Sequence, residues 1–150
     1  MKNKIEIKFQ YQSNQFKSPQ ISIKCNSLNI DQIIDDMTPS FEFDATFGIH
    51  QFSLCLFNKE PNDTVLDKKG NIIDDLYVII EDIKIDSISV LTNLSNFSEY
   101  TNNQGDKVET YGYLSFPTEF KFWLQVPGYM FQRNMSLLNN NDVLGYLQNA

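Results

Sequence analysis

Between Asn58 and Asp75 the chain gathers four aspartates, Asp63, Asp67, Asp74 and Asp75, with Asn62 and Asn71 among them. Hard oxygen donors of this kind suit Ca²⁺, which prefers carboxylate and amide oxygens. The spacing is not that of an EF-hand, because Lys68 and Lys69 stand where that loop places ligands. A solvated loop of turn-forming Asp and Asn is the favoured reading, with calcium as the chemical alternative. Trp123 is the second group of interest. It shares strand parity with Lys121 and Gln125, opposite to Phe120, Phe122, Leu124 and Val126. On an open face its ring would be a flat platform for a sugar or an anchor for a protein partner. Under a loop or the C-terminal segment it would be ordinary core, and covering is the favoured expectation. Tyr111 and Tyr113 share parity on what reads as the neighbouring strand and would extend such a platform.

Catalytic chemistry finds little footing. The adjacent carboxylates Asp35-Asp36, Asp74-Asp75 and Glu81-Asp82 would point to opposite faces of a strand and could not share one reacting atom. His50 is the single histidine and carries the parity of Phe52 and Leu54, which predicts a structural imidazole on the core side. No G-x-S-x-G elbow, Gly-rich phosphate loop or Cys-His pairing is present. The chain therefore reads as a non-enzyme. Cys25 and Cys55 form no C-x-x-C pair. Buried free thiols are expected, with a Cys25–Cys55 bridge as the alternative.

Alternating runs must position these groups. Ile5, Ile7, Phe9 and Tyr11 make an opening strand, and Ile21, Ile23 and Cys25 a second. Residues 31–39 read mostly as loop, with at most one helical turn capped by Asp31. Phe41 and Phe43 precede a hairpin into His50–Phe57, where Phe52, Leu54 and Leu56 share a face. Tyr77–Val90 changes phase between Ile85 and Ile88, so Asp86-Ser87 is either a turn or a bulge. Residues 91–107 form a long polar excursion. Alternation resumes at 108–116 and at 120–126, read as the last two strands. The pattern predicts an all-β chain, an antiparallel β-sandwich of jelly-roll or immunoglobulin-like kind. The sandwich domain is expected over residues 1–128. Residues 129–150 are expected to be a mostly irregular tail with a short helix near Asp142, and its Met130, Phe131, Met135, Leu137 and Leu138 are candidate partner contacts.

With 150 residues, 12 Phe and 7 Tyr, the chain is large enough for one aromatic-rich core. Its net charge of −7 opposes phosphate backbones, and its basic residues form no stripe, so direct nucleic-acid binding is not expected. No run approaches the length of a membrane span, and Met1-Lys2-Asn3-Lys4 leads into a strand instead of a secretion signal.

The run His50-x-Phe52-x-Leu54-x-Leu56-Phe57-Asn58-Lys59 is followed by Pro61-x-Asp63-Thr64, Gly70-Asn71-Ile72-x-x-Asp75, Tyr77-x-Ile79 and Ile83-x-Ile85-Asp86. This pattern resembles small β-sandwich virion proteins of tailed bacteriophages and, more distantly, calcium-dependent xylan-binding modules. The resemblance covers roughly residues 49–90, with a looser echo at 116–124. It implies a structural virion protein, for decoration, tail or connector duty, assembled in the host cytoplasm. Its partners would be other virion proteins or further copies of the chain, with 91–107 and 129–150 as contact segments and no resident cofactor. The alternative it implies is a carbohydrate-binding module for host adhesion, using Trp123, Tyr111 and Tyr113 on a glycan and the Asp63–Asp75 loop for calcium.

Overall fold

The computed structural model describes residues 3–34 and 37–149. Among them the strands fall into two five-stranded antiparallel sheets and one two-stranded hairpin. β1 (Asn3–Gln12) sits inside the first sheet, and its pleat sends Ile5, Ile7 and Phe9 inward while Lys4, Glu6 and Lys8 stay on the outer face. It pairs on one side with β4 (Ser40–Ala45) and on the other with β8 (Tyr77–Ile85). β11 (Tyr113–Leu114) and β9 (Ile88–Ser89) both pair with β8. The second sheet runs β10 (Ser98–Glu99), β12 (Glu119–Val126), β5 (Gly48–Leu56), β2 (Ile21–Cys25), β3 (Ile30–Ile34). β6 (Val65–Leu66) and β7 (Ile72–Asp74) form the separate hairpin.

The Tyr77–Val90 run changes phase twice, once at a bulge between Ile80 and Ile83 and again at the expected place between Ile85 and Ile88. The register passes from Lys8↔Asp82 to Phe9↔Ile80, leaving Glu81 as an extra residue in β8. This bulge lets Val78 and Ile80 before it, and Ile83 and Ile85 after it, all reach the core despite their opposite parity. Asp86 and Ser87 then adopt φ of 52° and 70° and join β8 to β9, the left-handed pair that a two-residue hairpin turn requires. Of the two readings left open by the sequence, Asp86-Ser87 is the turn.

The inner faces of both sheets contribute to one apolar cluster. Phe43 of the first sheet and Phe52 of the second lie 6.0 Å apart, ring centre to ring centre, and Phe52 stacks on Phe122 at 5.2 Å. The expectation of an antiparallel, β-rich chain holds.

Of the strand expected over 108–116 only Tyr113–Leu114 forms, and β4 and β5 lie in different sheets instead of pairing as the expected hairpin. Three further expectations also fail. Residues 31–34 of the expected 31–39 loop belong to strand β3, paired with β2 through Ile21↔Ile34 and Lys24↔Asp31, while Asp35 and Asp36 lie outside the described residues. As a sheet edge, β3 leaves Asp31, Gln32 and Ile33 exposed, which hid its pattern. The polar 91–107 segment is not simply a surface excursion. Residues 91–97 form 3₁₀ turns that bury Leu94 and Phe97, and a Thr101↔Lys107 bridge closes the remainder.

The third correction concerns the C-terminus, which is helical instead of mostly irregular. α1 (Gly128–Leu137) follows β12 directly and α2 (Asn140–Asn149) follows α1, with Asp142 in the first turn of α2, where a carboxylate suits the helix dipole. Phe131, Val143 and Leu147 are buried, and Phe131 meets the edge of Phe97 at 5.3 Å. Each helix alone presents too narrow an apolar stripe to be legible. Together with residues 91–97 they cover the outer face of β12. Gly128 is required at this junction, since a Cβ there would overlap the carbonyl oxygen of Ile85. No helix among the described residues is long and apolar enough to cross a membrane.

Candidate functional site

The four loop carboxylates do different jobs and do not converge. Asp63 is buried at the end of a short 3₁₀ turn, where its carboxylate accepts from the Glu60 amide at 2.7 Å and from Asn14 Nδ2 at 3.1 Å. Lys17 Nζ lies 2.7 Å from Oδ2, the oxygen that also accepts from the Glu60 amide. Asp75 accepts from Lys59 Nζ at 2.5 Å, Thr64 Oγ1 at 2.7 Å and the Leu76 amide at 2.8 Å. Lys59 also donates to the Leu76 carbonyl. Burial by itself would raise both carboxyls. The lysine, hydroxyl, amide and side-chain donors outweigh it and hold both below the usual carboxylate range.

Asp67 clamps its own turn, accepting from the Lys69 and Asn71 amides, and these bonds lower its carboxyl too. Asp74 accepts from the Gln15 amide at 3.1 Å and the Asp75 amide. Among the described residues no group of three or more His, Cys, Asp or Glu side chains is placed to hold a metal ion. Asp63, Asp67, Asp74 and Asp75, named as the calcium alternative, do not converge on one point. Asp75 neutralises the buried Lys59, Asp63 pairs with the half-buried Lys17, and the other two organise turns. Asp35 and Asp36 lie outside the described residues.

What these bonds build is a rigid pedestal for the β6–β7 hairpin. Its two strands pair through Val65↔Asp74 and Leu66↔Ile72, and Gly70, at φ 84°, closes the turn. Leu66, Ile72 and Ile73 are all exposed, the two isoleucines at 61% and 65%. Adjacent strand residues point to opposite faces, so both faces of the hairpin carry apolar side chains. Phe16, also exposed, neighbours Gln15, whose amide is tied to Asp74.

The aromatic platform is divided. Trp123 lies on the outer side of the second sheet at 8% exposure, within the apolar cluster under the C-terminal helices. Beside it, Gln125 is buried and bonded to Tyr146 and Asn134 at 3.1 and 2.7 Å. Tyr113 belongs to the first sheet instead of the strand beside β12. Its ring packs on Tyr77 at 4.5 Å, and burial, followed by the Tyr77 and Asp75 charges, pushes its phenol up to about 12. Tyr111 precedes it, exposed. Trp123 is covered, as the favoured reading expected, and is separated from Tyr111 and Tyr113, which line one shallow pocket beside the first sheet.

The proposed contact residues of the tail also separate. Phe131 faces the core, and Met135 and Leu138 pack partly against it, while Met130 and Leu137 remain exposed. His50 is buried, with Nδ1 2.6 Å from Ser27 Oγ and Nε2 2.7 Å from the Thr46 carbonyl oxygen, the structural role expected of it. Cys25 and Cys55 are free thiols. Cys25 points into the core while Cys55, half-buried, lies on the opposite side of its sheet.

A groove of about 570 Å³ opens at the other end of the first sheet. Its floor is the outer face of β1, β4 and β8, contributing Lys4, Glu6, Glu42 and Lys84. Its walls are Phe47, from the β4–β5 turn, and Tyr129, from the first turn of α1, exposed at 73% and 66%, with Ile88 and Pro127 between. Asp86 staples these parts together. Its carboxylate accepts from the Lys4 amide at 2.9 Å and the Gly128 amide at 3.0 Å, and its own amide donates to the Lys4 carbonyl. The floor charges pair loosely, with Lys4 3.7 Å from Glu42 and Lys8 3.9 Å from Glu6.

Phe47 and Tyr129 escaped the sequence reading, although each is an aromatic residue beside a turn glycine, Gly48 or Gly128, where no partner strand covers it. Lys17 and Lys59 carry no comparable signal, since the pairing of each depends on a carboxylate distant in sequence. No protein-family model, curated protein or solved structure matches this chain.

Proposed function

We propose that this chain is a non-enzymatic structural component of a tailed-phage particle, a jelly-roll-like or immunoglobulin-like β-sandwich that works through protein–protein contacts. Support comes from the strand pattern of residues 49–90 and from a surface suited to docking. The observation that carries the reading is the β6–β7 hairpin. It holds Leu66, Ile72 and Ile73 in solvent on a base fixed by the buried Lys59–Asp75 pair. Apolar side chains displayed on a pre-ordered element lose little conformational freedom when a partner covers them. Other virion proteins or further copies of this chain are the partners, and assembly takes place in the host cytoplasm.

The carbohydrate-binding alternative loses its platform, because Trp123 is covered and stands on a different sheet from Tyr113. A mass-spectrometric inventory of purified particles tests the leading reading. Peptides of this chain at levels comparable with known particle proteins are expected. Their absence from particles, with the chain abundant in the infected-cell lysate, would overturn it.

A further inference from the structure

We infer that β3 pairs with β3 of a second copy of this chain, antiparallel and centred on Gln32, so that the second sheet continues through a two-fold axis. The inference rests on the reading of the chain as a protein that works through protein–protein contacts, and it names one such partner.

The backbone comes first. β3 is a sheet edge that pairs with β2 alone, and alternate N–H and C=O groups along Ile30–Ile34 point away from β2 with no backbone partner among the described residues. The partner that matches the spacing of such a row is another extended chain. Soluble proteins ordinarily blunt an edge with lysine, proline, a bulge or a covering element. β3 reads Ile-Asp-Gln-Ile-Ile, its register with β2 is unbroken, and Asp31, Gln32 and Ile33 are exposed, the isoleucine at 66%. The far edges of the two sheets differ. β10 and β11 are two residues each, and Gln148 of α2 reaches over to Glu99 of β10.

Side chains then select a second copy and a register. Residues that face each other across an antiparallel pair share a face of the sheet. Centred on Gln32, the pairing sets Ile30 against Ile34 of the other copy on the core side and Asp31 against Ile33 on the outer side. Gln32 meets its own counterpart, an amide that both donates and accepts. No like charges oppose, and Asp31 keeps Lys24 of β2 directly across on its other flank. Moving the centre to Asp31 would oppose two carboxylates. β4, the open edge of the first sheet, lacks a register of this kind, because self-pairing about its middle sets Glu42 against Glu42 or against Asp44. Like charges directly opposite are unfavourable, so β3 is the edge that joins. The same surface serves both sides of this contact, so it closes at two copies.

Sedimentation velocity on the full chain, from low micromolar to near-millimolar concentration, is expected to show monomer converting to dimer and no larger species. Ile33→Asp places a carboxylate opposite Asp31 of the other copy and is expected to weaken the dimer at least about tenfold. Ile33→Lys places an ammonium there and is expected to keep it, whereas a contact made by apolar burial of Ile33 would lose strength in both variants. Position 33 is exposed, and unchanged circular dichroism checks that each variant folds. Gln32→Cys reads the register directly. Facing residues of antiparallel strands have Cα atoms about 4.5–5.5 Å apart, which is within disulfide reach. Mild oxidation is therefore expected to cross-link that variant well above the wild type, which holds Cys25 and Cys55, and above Lys69→Cys on an exposed turn.

A wild type that stays monomeric throughout, or that grows beyond the dimer, would overturn the inference. So would cross-linking of Gln32→Cys no faster than of Lys69→Cys, or equal weakening by Ile33→Asp and Ile33→Lys. None of these results bears on whether the chain is found in particles, so the failure of this pairing and the failure of the assembly reading are read separately.

Discussion

Lys59 and Asp75 are both nearly enclosed, and each is the other's counter-charge. Removing one partner of such a pair strands a buried charge, a loss of about 3–5 kcal/mol in general. Lys59→Met is therefore expected to destabilise the chain by about that much, measured by urea unfolding, whereas Lys69→Met on the exposed turn changes it little. The same carboxylates set an acid limit. Asp63 and Asp75 are held below the ordinary carboxylate value of about 3.9 in the folded chain. Their contribution is complete above that value and is lost as pH falls through their folded values, so stability declines below about pH 4. Urea unfolding between pH 6 and pH 3 checks this, with Asp75→Asn expected to flatten the decline.

At the scale of elements, the C-terminal helices act as a cover on the second sheet. They bury Phe131, Val143 and Leu147, close over Trp123, and tie Gln125 through Asn134 and Tyr146. Phe131→Ala leaves a cavity beside Phe97, and core deletions of this size cost about 3–5 kcal/mol. A loss in that range is expected by chemical denaturation. A loss below about 1 kcal/mol would show that the helices contribute little to the fold. Deleting residues 128–150 would expose Trp123, so reduced solubility of that truncation would report on folding before it reported on any partner.

For the molecule as a whole, the sheets, the 91–97 turns and both helices share one apolar cluster. Cooperative unfolding follows from that sharing, as it does for most single domains of this size. Far-ultraviolet circular dichroism and the fluorescence of Trp123, the single tryptophan beneath the helices, are expected to report the same midpoint. An earlier fluorescence transition would mean that the helices detach first.

The local alternation of Ile, Phe and Leu was enough to place β1, β2, β5, β8 and β12, because a strand with one buried face writes its period into neighbouring residues. His50 was legible for the same reason. β3 was not, since an edge strand buries little. The tail was not either, because its apolar residues gain a partner only when 91–97 and β12 are brought beneath them. The roles of Asp63 and Asp75 depended on Lys17 and Lys59, and the groove depended on Phe47 meeting Tyr129 from the far end of the chain. Sequence by itself determined which residues alternate. Tertiary structure alone decided which charges pair, which rings are covered and which surfaces stay open, because each of those outcomes requires contact between segments tens of residues apart.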